Sequence, residues 1–195
     1  MTGDATRASA YQAYTTALAS WSDIGDQLEW LTEQATMHQV VAELGVRSGR
    51  STAAFLWGCA ISGGRLWSVD IAAPDVPLGW FDFPHWRFAQ CDSISSQAQM
   101  FLPPEIGLLF IDTSHTTVQT LAELRAYAGR VRPGGLICCH DTQWDVGDVS
   151  LPAPGGPVTE ALDQFCAETG QTWVNRDSEQ GQGYGLGVIT WQATA

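Results

Sequence analysis

With 195 residues, 45% of them apolar, the chain is long enough for one sizeable hydrophobic core and too short for two comfortable domains. Twenty-one acidic against nine scattered basic residues leave a net charge of −12, which argues against nucleic acid or an anionic membrane surface as a partner. No basic stretch leads into an apolar segment and no apolar run reaches the ~18 residues of a membrane span, so the expectation is a soluble, cytoplasmic protein.

Residues 7–35 carry Tyr11, Tyr14, Leu18 and Trp21, then Leu28, Trp30 and Leu31, at helical spacing, which predicts two short leading helices. Residues 39–44 form a near-continuous apolar strand, and Ser51 or Thr52 can cap a following helix to about residue 60. Gly63 and Gly64 make a turn into a second strand at 65–71 that ends in a carboxylate, Asp70. Three prolines, Pro74, Pro77 and Pro84, mark 72–84 as mostly loop. A third strand at 86–90 is followed by a short helix towards Phe101. Residues 106–112 form the clearest buried strand, again ending in Asp. Leu121, Leu124, Ala128 and Val131 place a helix over 116–131, which Pro133-Gly134-Gly135 should stop before a fifth strand at 136–139 closed by His140-Asp141. Val158, Ala161, Leu162, Phe165 and Cys166 form an apolar helical stripe, and closing strands fit 172–175 and 184–191. The five cysteines, Cys59, Cys91, Cys138, Cys139 and Cys166, lack C-x-x-C spacing and read as buried thiols.

This alternation of strands and helices predicts one α/β unit with a mostly parallel seven-stranded sheet, in which ligands bind beyond the carboxyl ends of the strands. The stretch 38–52 runs an apolar strand into Glu43, two glycines (Gly45 and Gly49) and a Ser-Thr helix start, the pattern of a nucleotide-cofactor turn. A dinucleotide-binding dehydrogenase would want glycine at 47 and 50 as well. The chain has Arg47 and Arg50 there, side chains that would crowd a pyrophosphate.

The ordered set of strand-end acids Glu43, Asp70, Asp112 and Asp141, with the glycine turn, resembles the class I S-adenosylmethionine-dependent methyltransferases over residues 38–191. Glu43-Leu44-Gly45-x-x-Ser48-Gly49-x-Ser51-Thr52, Ile111-Asp112-Thr113-Ser114-His115 and Pro133-Gly134-Gly135 through His140-Asp141-Thr142 resemble the metal-dependent small-molecule O-methyltransferase branch, including the macrocin O-methyltransferase and cephalosporin-hydroxylase-like groups. The resemblance implies a Rossmann-like seven-stranded fold, with residues 1–37 as an N-terminal helical extension and 38–195 as the S-adenosylmethionine-binding domain. It implies that Glu43, Gly45, Ser48, Gly49, Ser51 and Thr52 face the methionine part of the cofactor, Ser51 being equally suited to a plain helix cap. Asp70 would take the ribose hydroxyls, Asp92 with Gln90 the adenine, and Asp112 would also face the cofactor. Asp112, His140 and Asp141 would hold a divalent cation. The resemblance implies Mg²⁺ or Mn²⁺; hard Mg²⁺ prefers oxygen, and an imidazole at 140 suits Mn²⁺, Fe²⁺ or Zn²⁺ better.

His115, three residues past Asp112, is placed to take a proton from a substrate hydroxyl, or else to bond to backbone. Trp80, Phe81, Phe83, Trp86 and Trp144 fall around the expected pocket, where they serve either core packing or an apolar wall for substrate. Trp144, just after the metal loop, is the substrate-contact candidate. The expected activity is metal-assisted O-methylation of a small-molecule hydroxyl (sugar, phenol or natural-product diol), the alternative being a non-catalytic cofactor-binding or hydroxylase-associated protein of the same fold. The short stretch before the first strand leaves the pocket either open or completed by a second subunit, so a homodimer is one expected arrangement.

Overall fold

The computed structural model describes residues 3–143, 155–176 and 184–192. Among these residues the elements run in chain order as α1 (Gly3–Leu18), α2 (Leu28–His38), β1 (Val40–Leu44), α3 (Arg50–Ser62), β2 (Arg65–Asp70), β3 (Trp86–Gln90), α4 (Ser96–Phe101), β4 (Ile106–Ile111), α5 (Thr117–Tyr127), β5 (Val131–His140), α6 (Pro157–Thr169), β6 (Trp173–Arg176) and β7 (Leu186–Thr190). Short 3₁₀ turns occur at Gly25–Gln27, Leu78–Asp82 and Ala128–Arg130. The sheet order is β3-β2-β1-β4-β5-β7-β6, with only β7 antiparallel to its neighbours. This is a mostly parallel α/β sheet of the Rossmann-like class, and its order reverses between β1 and β4.

Strand periodicity sorts the core into two layers. Val41, Leu108, Phe110, Cys138 and Val188 pack towards α1, α2 and α3, together with Leu28, Leu31 and Phe55. Ala42, Leu44, Leu109, Ile111, Cys139 and Ile189 pack the other way, against Leu121, Leu124, Leu162 and Phe165 of α5 and α6. All six residues of β4 are buried, as its unbroken apolar run requires of a central parallel strand. α1 and α2 join α3 in one apolar cluster, so the leading helices share the core of the sheet.

Three local expectations are corrected. The helix placed over 116–131 ends at Tyr127, and Val131 instead opens β5, paired with Ile106. Arg132 precedes Pro133, which disfavours a helical backbone there, and Pro133-Gly134-Gly135 lies inside β5 where the register with β4 shifts. The strand expected from residue 39 begins at Val40, and His38 closes α2. Neither Ser51 nor Thr52 caps α3. Gly49 does so with a left-handed backbone, φ 73°, and both hydroxyls turn to a buried carboxylate.

The tightest approach in the sheet lies at the β1 carboxyl end. A Cβ at Gly45, whose φ is 93°, would stand 1.8 Å from the carbonyl oxygen of Asp112. Gly45→Ala therefore forces β1 and β4 apart on top of the backbone strain. A loss of about 3 kcal/mol or more is expected in urea denaturation.

Candidate active site

Asp70, Asp92, Asp112 and the turn after β1 end on one side of the sheet because parallel strands deliver their carboxyl ends together. They line a cleft of about 410 Å³ with Gly45, His115 and Gln119, a volume in the range of small-molecule sites. Asp70 is already engaged at both oxygens. Oδ2 accepts the backbone N–H groups of Val46 (2.8 Å) and Arg47 (3.0 Å), and Oδ1 accepts that of Ala72 (2.8 Å). The carboxylate thus holds the turn in which Arg47 adopts φ 49°. Asp92 lines the same cleft while its Oδ1 accepts the Ile94 N–H at 3.0 Å.

A cluster of two carboxylates and two imidazoles closes the cleft at β4 and β5. His115 Nε2 lies 3.1 Å from Asp112 Oδ1 and 2.8 Å from Asp141 Oδ2. His140 Nδ1 lies 3.2 Å from Asp141 Oδ2 and 3.6 Å from Asp112 Oδ1, yet neither of its ring nitrogens is aligned for a hydrogen bond. Burial alone would lower the His115 pKa, but hydrogen bonds and charge from Asp112 and Asp141 overcome it and lift it to about 9. Burial likewise opposes protonation of His140, and the Asp112 charge drives it well above the ordinary value. Burial would raise Asp112, whereas the charge of His140 and the bond from His115 hold it well below the carboxylate range.

One ligand atom each from Asp112, His115 and Asp141 lies within 4.8 Å of the others, which makes these three a candidate cation-binding group. The structure thus puts His115 where the sequence pattern put His140. His140 is only 1% exposed behind the two carboxylates, whereas Asp112 and His115 are 28% and 27% exposed and face the cleft. His115 and Asp141 both adopt left-handed backbone (φ 51° and 67°), as Arg47 does; these three positions hold strained backbone around one site.

The other candidates are placed differently. Glu43 does not reach the cleft. It shares a strand face with Val41, so its side chain points at α3 and is fully buried. There it accepts Ser51 Oγ–H (2.7 Å), Thr52 Oγ1–H (2.9 Å) and Ser68 Oγ–H (2.5 Å), and Ser68 Oγ accepts Trp86 Nε1–H at 2.9 Å. Ser48 and Gly49 line a second groove against α1 with Trp80 and Phe83. Gln90 is exposed at the edge of β3 and donates to the Ile71 carbonyl at 3.2 Å. Trp144 lies outside the described residues. Trp80, Phe81, Phe83 and Trp86 pack on one another beside β3 and do not line the cleft.

Asp23, Ser93, Thr113 and Gln119 line the cleft without having been expected there. Gln119 and Glu123, four residues apart on α5, were a readable signal, since such pairs share a helix face. Cys59, Cys138, Cys139 and Cys166 are buried and all five thiols are free. Burial pushes the Cys59 thiol up to about 12, out of reach of thiolate chemistry.

The sequence profile of the family described as Methyltransferase domain matches residues 42–142, from β1 to the loop just beyond β5. The chain belongs to this methyltransferase family. No curated protein matches it. The fold of this methyltransferase is similar to that of an O-methyltransferase from Bacillus cereus in complex with SAH, with TM-score 0.57 and 17% identity over 96% of this chain and 91% of that one. It is also similar to the SAH-bound Podospora anserina methyltransferase PaMTH1, with TM-score 0.60 and 14% identity over 94% and 88%. MycE, a methyltransferase of the mycinamycin biosynthetic pathway solved with Mg and SAH, matches with TM-score 0.60 and 17% identity over 87% of this chain and 49% of that one. At these identities the likeness is one of fold. Among the described residues no helix is long and apolar enough to cross a membrane.

Proposed function

We propose that this methyltransferase uses S-adenosylmethionine to methylate a hydroxyl of a small molecule with the help of a divalent cation. The observation that carries the reading is the Asp112, His115, Asp141 group opening onto a cleft whose far side carries Asp70 and Asp92. Two carboxylate oxygens and one imidazole make a donor set that fits Mg²⁺ less well than Mn²⁺, Fe²⁺ or Zn²⁺. A cation bound there would lower the pKa of a substrate hydroxyl and supply the charge for its alkoxide or phenolate. The protein's own part is to orient. Asp141, nearly buried, fixes the His115 ring, while Asp112 and His115 face the cleft where the acceptor oxygen must lie. In the cation-free protein the His115 imidazole carries a proton between two carboxylates, and any cation must displace it. In the alternative role His115 binds no cation, first gives up that proton and then accepts the one from the substrate hydroxyl.

The reading extends to the remaining expectations. Asp70 and Asp92 would meet the nucleoside, with Gly45 allowing its close approach. Glu43, Ser51 and Thr52 would support the turn from behind. Residues 1–37 would form the helical extension of a cofactor domain at 38–195, and the acceptor would be a sugar, phenol or natural-product diol. A homodimer would complete the acceptor side.

Isothermal titration with S-adenosylmethionine, with and without Mg²⁺ or Mn²⁺ and beside NAD⁺, tests the reading. Micromolar binding of S-adenosylmethionine is expected; heat with NAD⁺ alone would overturn it. A second expected result concerns His140, which stands behind the carboxylates. His140→Ala removes a buried positive charge that competes with a cation for Asp112 and Asp141, so it should strengthen Mn²⁺ binding about 10-fold and leave S-adenosylmethionine affinity unchanged. Unchanged Mn²⁺ affinity would remove His140 from the site.

A further inference from the structure

Behind the Asp92 side of the cleft lies a buried polar cluster that neither the cation group nor the glycine turn uses. Glu123 of α5 is fully buried. Its Oε1 accepts Ser93 Oγ–H at 2.5 Å and Gln119 Nε2–H at 3.1 Å, and its Oε2 accepts Thr113 Oγ1–H at 3.0 Å. Gln119 Nε2 also donates to Ser93 Oγ at 2.9 Å, and Tyr127 Oη–H donates to the Ser93 carbonyl.

These bonds decide which way the Gln119 amide points. Ser93 spends its proton on Glu123 and must receive one from Gln119, and Glu123 Oε1 can only accept. With Ser93 Oγ–H donating to Oε1 and Thr113 Oγ1–H donating to Oε2, both Glu123 oxygens are acceptors. The reversed amide would set the Gln119 carbonyl against two acceptors at 2.9 and 3.1 Å. The amide nitrogen is therefore tied into the cluster, and the carbonyl oxygen is what a half-buried residue lining the cleft has left to offer. The Ser93 hydroxyl has no proton left for a ligand.

We infer that Gln119, locked by Glu123 and Ser93, is a specificity-determining residue that presents a hydrogen-bond acceptor to the base of the bound nucleoside and selects a 6-amino over a 6-oxo purine. The inference rests on the S-adenosylmethionine reading. With the Asp92 carboxylate on the same side of the cleft, an exocyclic amine has two acceptors for its two protons. A 6-oxo purine would bring a third acceptor against them, and a site arranged to accept from an amine discriminates against a group that cannot donate. Glu123 acts through Gln119 and is a positioning residue.

The test is calorimetric titration of the full chain with S-adenosylhomocysteine and with S-inosylhomocysteine. The wild type should prefer the adenosyl compound by at least about 100-fold. Gln119→Leu, at a half-exposed helix position that tolerates the change, should weaken the adenosyl compound about tenfold without weakening the inosyl one, so that the preference narrows. Glu123→Ala should narrow it similarly with Gln119 still present. Glu123→Gln, which keeps an acceptor at Oε1 and a donor towards Thr113, should restore it. A preference unchanged in Gln119→Leu, or an equal loss for both compounds, overturns the inference and leaves the S-adenosylmethionine reading standing. A wild type that binds neither compound overturns both.

Discussion

Asp112→Asn is expected to weaken Mn²⁺ binding and methyl transfer by more than about 100-fold while the protein still folds. The change keeps the volume of a side chain that is 28% exposed, and leaves intact the β1–β4 ladder that the Asp112 backbone N–H joins at 2.8 Å to the Leu44 carbonyl. It removes the charge that both His115 and His140 face. With one carboxylate left for two imidazoles, His140 is expected to lose its proton at neutral pH, because burial already opposes its charge. Mn²⁺ titration at pH 7.5 and the ¹H–¹⁵N signals of the two histidine rings check both parts. A variant with wild-type Mn²⁺ affinity would exclude Asp112 from the cation group.

The second large effect is on stability and belongs to Glu43. Glu43→Ala would strand the buried hydroxyls of Ser51, Thr52 and Ser68 and open a cavity between β1 and α3. A loss of about 4 kcal/mol or more follows from unsatisfied polar groups and lost packing together. Glu43→Gln should behave differently. Burial pushes the Glu43 pKa from 4.5 up to about 7, against the lowering effect of the Ser68, Ser51 and Thr52 hydrogen bonds. A carboxyl raised on folding binds its proton more tightly in the native state. Its stabilising share is complete below pH 4.5 and is lost as pH rises through 7. Across that window the loss amounts to about 3 kcal/mol. Glu43→Gln removes this dependence, with its amide oxygen accepting from Ser51 and Thr52 and its nitrogen donating to Ser68. Urea midpoints should converge near pH 5 and favour Glu43→Gln at pH 8. Parallel pH profiles for the two proteins would show that Glu43 titrates normally.

Strand positions were the most legible part of the sequence. Residues 86–90 read directly as β3, and the buried run beginning at Ile106 as β4, the latter because a parallel strand covered on both faces needs an unbroken apolar run. The α5 boundary was not legible, since Leu124, Ala128 and Val131 keep helical spacing through a residue that pairs with Ile106 in the sheet. At the site, the strand-end acids Asp70, Asp92 and Asp112 converge as the topology demands. Glu43 looks the same in the sequence but stands one residue before the end of β1, and the two-residue period of the strand turns it to α3. Both His115 and His140 stood out in the sequence, but which of them faces the cleft was not legible. His115 adopts a left-handed backbone, which the residue types of its motif do not announce. Asp23 reaches the cleft only through the packing of the leading helices, which periodicity places on the core but not in space.

The position of β7 has a consequence for how the protein is made. It lies between β5 and β6 in the sheet yet follows both in the chain. Until residues 186–190 leave the ribosome, the ladder edge of β5 from Leu136 to His140 has no partner. At ordinary elongation rates the interval from the end of β5 to the start of β7 is about 2–9 s. During that time the nascent chain displays an open, apolar edge carrying Ile137, Cys138 and Cys139, the kind of edge that templates intermolecular pairing. Slower translation across residues 141–186 should lengthen this exposure and favour aggregation over assembly.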